Sequence, residues 1–280
     1  MRWYVSIGMV LFGGALVSAD VPGIAAPMAG IRMADDRSSA DPVDVELVLA
    51  TDVSYSMDLD ELAVQREGYA DALISPEFLQ ALKSGRRGKV AVTYFEWAAS
   101  NDQKLVIPWR LIDGPESAGA VSDEIRHIPV RRASRTSISG AINFAMPLFD
   151  TSGYNGTRRV IDISGDGPNN NGEPVAIARE AALQKGITIN GLPIMVKEPS
   201  YSTMDIENLD WYYEDCVIGG PGAFVVPIKG KDQFKEAIRT KLVLEVAGRQ
   251  PERKVVPVTD KEPRVSCTIG EQMWQQRWGR

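Results

Sequence analysis

The chain of 280 residues has a single histidine, His127, and only two cysteines, Cys216 and Cys267. It has no Gly-x-Ser-x-Gly elbow, so a Ser-His-Asp hydrolase would have to recruit His127 from a loop with no obvious carboxylate to orient it. No Gly-x-Gly-x-x-Gly follows the first strand pattern, which removes the turn a dinucleotide site needs. There is no Walker-type loop and no Cys/His pairing at metal-ligand spacing. After the N-terminal stretch, no run approaches the ~20 apolar residues of a membrane span. Positive charge is also short: 31 Lys and Arg stand against 37 Asp and Glu, a net of −6. A nucleic-acid binder needs a basic face, and this balance argues against one. What remains is a globular chain, 44% hydrophobic and 24% charged, long enough for one large α/β domain with appendages.

The first residues read as a targeting segment. Arg2 precedes an apolar stretch, Trp3 to Val17, and small residues at Val17-Ser18-Ala19 suit cleavage after Ala19, with a second such position after Ala26. The expectation is a signal peptide over 1–19, a linker over 20–41, and a mature protein in the periplasm or outside the cell. An oxidising compartment permits a bridge between Cys216 and Cys267. The alternative is a buried thiol at Cys216 with Cys267 in a mobile tail, and spacing does not choose between them.

Residues 43–56 organise the rest. Val43, Val45, Leu47 and Leu49 alternate with Asp44, Glu46 and Val48, and the run becomes almost wholly apolar up to Ala50, as in a strand buried on both faces. Further strands are expected at 89–97, 104–112, 158–164, 186–194 and 223–227, the second pairing with the first of these as a hairpin. Helices are expected after Asp58 and Pro76 and over 117–125, 138–149, 173–185, 204–213 and 231–246. The alternation predicts a three-layer doubly wound α/β domain over 42–248, mostly parallel, with one antiparallel edge strand. Residues 249–280, rich in Pro, Lys and Glu with isolated tryptophans, read as a flexible tail.

Asp52-x-Ser54-x-Ser56 ends the first strand, Thr136 stands in Ser-Arg-Thr-Ser, and Asp166 in Ser-Gly-Asp-Gly. Taken singly, the serines suit helix capping, Thr136 an N-cap near Ser137, and Asp166-Gly167 a plain turn. Taken jointly at one sheet rim they offer two carboxylates and neutral hydroxyls, a donor set for a hard cation such as Mg²⁺. In that order they resemble the metal-ion-dependent adhesion site of von Willebrand factor A domains. Within that family the chain is similar to a group of exported bacterial proteins through Gln65-Arg66-Glu67-Gly68-Tyr69, Arg159 to Asn170 and Cys216 to Phe224.

The resemblance implies Mg²⁺, or Mn²⁺ or Ca²⁺, held by Asp52, Ser54, Ser56, Thr136 and Asp166. It also implies a protein partner that supplies an acidic residue to that ion, with no nucleic acid and no membrane span after signal cleavage. The expectation is a binding module, not an enzyme. A metal-assisted hydrolase is the competing class, and a scaffold with a purely structural metal is a third reading. Other residues carry lesser expectations. Asp162, inside an apolar strand, needs a partner such as Arg158, Arg159 or a backbone donor. Glu96 and Trp97 suit either the metal rim or hairpin packing, Asn169 to Asn171 a rim or a loop, and the arginines before Thr136 solvated loop charge.

Overall fold

The computed structural model describes residues 40–197, 205–248 and 262–279. At its centre is β1 (Asp41–Asp52), flanked by β2 (Val90–Trp97) and β4 (Tyr154–Gly165), both parallel to it. β5 (Ile187–Pro193) continues the parallel side, and β3 (Gln103–Ile112) closes the other edge antiparallel, giving the order β3-β2-β1-β4-β5. β1 is buried on both faces, and its side chains divide by parity. Val45, Leu47 and Leu49 enter one core with Tyr69 and Ile238, while Val48 and Ala50 enter the other with Ile142 and Ala178. α1 (Leu59–Leu73), α2 (Pro76–Ser84), α3 (Pro115–Arg126) and α7 (Phe234–Ala247) contribute to the first core. α4 (Ile138–Leu148), α5 (Val175–Gln184) and α6 (Leu209–Tyr212) contribute to the second.

Strand order reverses at β1, because the chain goes first to one neighbour, β2, and later to the other, β4. In such sheets the crevice outside the carboxyl ends at the reversal is where ligands bind. The register pairs Thr51 with Ser164, so Asp52 and the Gly165-Asp166 turn emerge side by side.

Several expectations are corrected. Residues 223–227 form no regular strand: Val225 and Ile228 make only isolated bridges to Gly191 and Ile194. Pro193 and Pro227 lack the N–H that a continuous ladder would use. The acidic helix expected over 204–213 is the short α6, followed by a wide π-type turn, Tyr213–Val217. The last expected strand-flanking helix begins with a 3₁₀ turn, Lys231–Gln233, before α7. Part of the tail is ordered: Ile269–Trp278 form α8, and Cys267 is bridged to Cys216. That covalent tie, between residues 51 apart in sequence, anchors the segment, and Val265 and Ile269 pack on the second core beside it. The signal-peptide segment, most of the linker and 249–261 lie outside the described residues; Asp41, placed at the linker's end, already belongs to β1. Among the described residues no helix is long and apolar enough to cross a membrane.

Candidate metal centre

The loop after β1 is folded by its own side chains. Ser54 donates its backbone N–H to Asp52 Oδ1 at 2.7 Å, turning the chain back over the strand end. Ser54 Oγ and Ser56 Oγ lie 2.8 Å apart, and Ser56 Oγ donates to Asp166 Oδ1 at 2.6 Å. The serines do not cap α1, because Asp58 does so in a reciprocal capping box with Glu61. Thr136 does not cap α4 either; Ser137 Oγ accepts from Gly140 N–H there. Three hydroxyls with no capping duty therefore stand at the end of the sheet.

Thr136 is brought to the rim by two sets of backbone ties. Ala133 N–H donates to Val53 O at 2.9 Å, laying the 131–136 loop against the serine loop. Thr136 N–H donates to Asn170 Oδ1 at 3.0 Å, and Asn170 N–H returns a bond to Thr136 O at 2.8 Å, which binds it to the segment after Asp166. Ser54, Ser56 and Thr136 line one cavity of about 270 Å³. Asp166 lines a different one, of about 170 Å³, together with Glu61 and Lys197, and is linked to the first through the Ser56 hydroxyl. Close approach of the two carboxylate-bearing loops depends on Gly165, where a Cβ would come within 2.9 Å of Asp52 Oδ2.

Asp52 and Asp166 are both buried, and the Oδ2 atom of each has no hydrogen-bond partner. Burial, then the Asp166 charge, raises the Asp52 carboxyl well above its usual range. Burial pushes Asp166 up to about 7, with Asp205 and Glu61 adding and the Ser56 hydroxyl and Lys197 opposing. Two buried carboxylates with unsatisfied oxygens are costly unless a cation shares them. Lys197 supplies part of that charge: its ammonium contacts Glu61 Oε2 at 2.5 Å and Ser56 O, and stands 3.9 Å from Asp166 Oδ2. Among the described residues no group of three or more His, Cys, Asp or Glu is placed to hold a metal, so a cation here depends on the hydroxyl oxygens. A hard divalent ion takes such a mixed oxygen set.

The surrounding expectations resolve one by one. Asp162 is served by neither arginine: Lys241 Nζ lies 2.8 Å from its Oδ1. Trp97 is wholly buried in the core, and Glu96 holds Arg66 and Arg131 at 3.3 and 2.8 Å. The arginines before Thr136 are not merely solvated: Arg131 pairs with Glu96 and Asp102, Arg132 donates to Tyr55 O, and Arg135 stacks on Trp274 at 3.5 Å. The asparagine run is a set of ties, Asn169 to Ser139 and Glu271, Asn170 to Thr136, Asn171 to Ser100. His127 is exposed, its Nδ1 2.7 Å from Asp123 O. Lys197 and Trp274 were not foreseen at the rim; no local pattern marks either.

No curated protein matches the chain. Among solved structures, it is similar to proximal thread matrix protein 1 from the mussel byssus at 13% identity and a TM-score of 0.53, covering 75% of this chain and 49% of that one. A form of that mussel protein with a zinc-occupied MIDAS motif matches at 14% identity and a TM-score of 0.53, over 74% and 49%. A von Willebrand factor type A protein from Catenulispora acidiphila matches at 15% and a TM-score of 0.50, over 73% and 43%. The chain thus spans about half the length of the mussel protein. At such identities the likeness establishes the fold, which is of the von Willebrand A type. With residues 42–250 matching its model, the chain belongs to the family described as "Protein of unknown function (DUF1194)".

Proposed function

We propose that this is an exported, metal-dependent protein-binding module, in the periplasm or outside the cell, that engages an acidic residue of its partner. The observation that carries the reading is the pair of buried Oδ2 atoms of Asp52 and Asp166 that accept no hydrogen bond, with Lys197 only at 3.9 Å from the second, together with three hydroxyls free of capping duty. Asp52 and Asp166 would supply charge to the ion, and Ser54, Ser56 and Thr136 neutral oxygens. Mg²⁺ fits this set, with Mn²⁺ or Ca²⁺ as alternatives. A divalent ion held mainly by neutral donors stays electrophilic and supplies a position that a carboxylate oxygen can take. The zinc-occupied MIDAS motif of the mussel protein supports divalent binding on this fold.

Binding is favoured over turnover because this reading commits both rim carboxylates, Asp52 and Asp166, to the ion, and the single histidine is hydrogen-bonded on an exposed helix end. Asp52→Ala with Asp166→Ala should abolish stabilisation by Mg²⁺ in a thermal melt. Profiles that are the same with Mg²⁺ and with chelator in the wild type would reject the site. Capture of a periplasmic protein that needs Mg²⁺ and is lost in Thr136→Ala supports binding. Asp166-dependent hydrolysis of a phosphoester would move the protein to the enzymes.

A further inference from the structure

We propose that the C-terminal segment braces the metal centre: Glu271 of α8, acting through Asn169 and Asn170, positions the Thr136 hydroxyl and so sets how tightly the ion is held. The inference rests on the metal-dependent reading above. Glu271 and the two asparagines are positioning residues and not ligands. The family match ends at residue 250, so the brace comes from outside the matched domain.

The joint is Asn169, which is wholly buried. Its side-chain oxygen accepts from the N–H and the hydroxyl of Ser139 at 3.0 and 3.2 Å. Its side-chain nitrogen donates to Glu173 O at 3.1 Å and to Glu271 Oε1 at 2.7 Å, the shortest of the set. An amide with both donors and both lone pairs engaged cannot turn without losing a bond. The next residue along the chain holds Thr136 twice: Thr136 N–H donates to Asn170 Oδ1 at 3.0 Å, and Thr136 O accepts from Asn170 N–H at 2.8 Å. The contact with α8 and the contact with Thr136 thus belong to neighbouring residues of one loop.

α8 is itself tied down. The Cys216–Cys267 bridge precedes it, Arg264 meets Asp215 at 2.9 Å, and Ile269 packs on the second core. Gly270 lies so near the joint that a Cβ would sit 2.1 Å from Asn169 O, an approach only glycine permits. A second contact reaches Thr136 from its other side. The Trp274 ring centre lies 3.5 Å from the guanidinium of Arg135, the residue just before Thr136. Arg135 adopts φ 77°, a left-handed backbone that a side-chain-bearing residue rarely takes and that persists where its surroundings hold it. Thr136 is therefore held through its own backbone by Asn170 and through its predecessor by Trp274, and both paths lead to one helix. Groups that orient a metal ligand from behind carry a share of the affinity, and losing one costs about 10–100-fold. Glu271 acts through a neighbour of the residue that holds Thr136, which puts it at the lower end of that range.

The test is calorimetric titration of the full chain with Mg²⁺, together with hydrogen exchange of backbone amides in chelator. Glu271→Ala should weaken Mg²⁺ binding about tenfold, and Glu271→Gln, which keeps the Oε1 acceptor, should restore it. Gly270→Ala, which pushes α8 off the Asn169 backbone and leaves every side chain of the joint in place, should weaken binding likewise. In chelator the Ser139, Thr136 and Asn170 amides should exchange faster in Glu271→Ala, while Ala133 N–H, bonded to Val53 O, keeps its protection. Asn170→Ala combined with Glu271→Ala should bind Mg²⁺ no more weakly than Asn170→Ala alone, because both act along one path. Unchanged Mg²⁺ affinity in Glu271→Ala, an equal loss in Glu271→Gln, or additive losses in the double variant overturns the proposal. A wild type that shows no saturable Mg²⁺ binding overturns the parent reading, whereas a wild type and Glu271→Ala that bind Mg²⁺ equally well remove only the brace.

Discussion

β4 and the turn that ends it hold two buried aspartates four residues apart, and the protein treats them in opposite ways. Asp162 lies within the sheet and meets an internal cation, Lys241, whose ammonium it shares with Glu245 at 2.8 and 2.9 Å. Asn190 adds two hydrogen bonds to Glu245. Asp166, at the strand end, shares its site with another carboxylate and has Lys197 only at 3.9 Å. A buried acid with a tethered ammonium is a structural element. A buried acid facing a second acid, hydroxyls and a cavity leaves its charge to be balanced from outside. The contrast separates scaffold from site on one strand.

The largest test of that contrast is Lys241→Met. It leaves Asp162 and Glu245 buried without their cation and should cost about 3–5 kcal/mol in urea unfolding. A loss below about 1 kcal/mol would mean that the two carboxylates are protonated or reached by water, and the contrast would dissolve. The next is the pH dependence of Asp162, whose carboxyl burial pushes up to about 6 from 3.8, Lys241 pulling it down and Glu245 pushing it up. A raised folded value means that the contribution is fully present below pH 3.8 and is lost as pH rises through 6. At 1.36 kcal/mol per unit the loss is about 3 kcal/mol. The stability of the wild type relative to Asp162→Asn, compared at pH 4 and pH 7, should fall by that order. A pH-independent difference would show that the ammonium fully compensates the charge.

The sequence showed the scaffold side of this contrast incompletely and the rim side well. Buried parallel strands write continuous apolar runs, so β1 and β4 and their shared reversal point were legible. The residues of the rim were legible as a set because Asp52, Ser54, Ser56 and Asp166 follow strand ends and Thr136 precedes a helix, in a fixed order. The partner of Asp162 was not, since Lys241 and Glu245 are spaced like any exposed helical ion pair, and only the tertiary fold buries them. α8 was illegible for a related reason. Its helix buries little apolar surface, with only Gly270 fully buried and Ile269 against the second core, and is tied by a disulfide and by close backbone approach. The strand expected at 223–227 failed because apolar content cannot replace the missing N–H groups of proline.

At the rim, the contrast is sharpened by Mg²⁺ itself. A ligand at a hundred times its dissociation constant stabilises the fold by about 2.7 kcal/mol, or some 5–11 °C in melting temperature for a domain of this size. Asp52→Asn should remove that gain and, in chelator, melt above the wild type, because one of two facing carboxylates is gone. A variant that loses stability in chelator would show that the wild-type carboxylates are already reconciled without a metal.

The smallest effect comes from Lys197, the residue that blurs the two cases. It is a tethered ammonium like Lys241, but its nearest acid is Glu61, which also accepts from Asp58 N–H in the capping box of α1. If Lys197 belongs to that cap and only leans toward Asp166, Lys197→Met removes a positive charge beside the oxygen set without removing a donor. Mg²⁺ should then bind more tightly, within about tenfold or 1.4 kcal/mol, by calorimetric titration. If Lys197 instead holds the Asp166 loop in place, affinity should fall, and Lys197→Arg should restore it where Lys197→Met does not. Tightening places Lys197 on the scaffold's side of the contrast, as a charge the cap needs and the metal must work against.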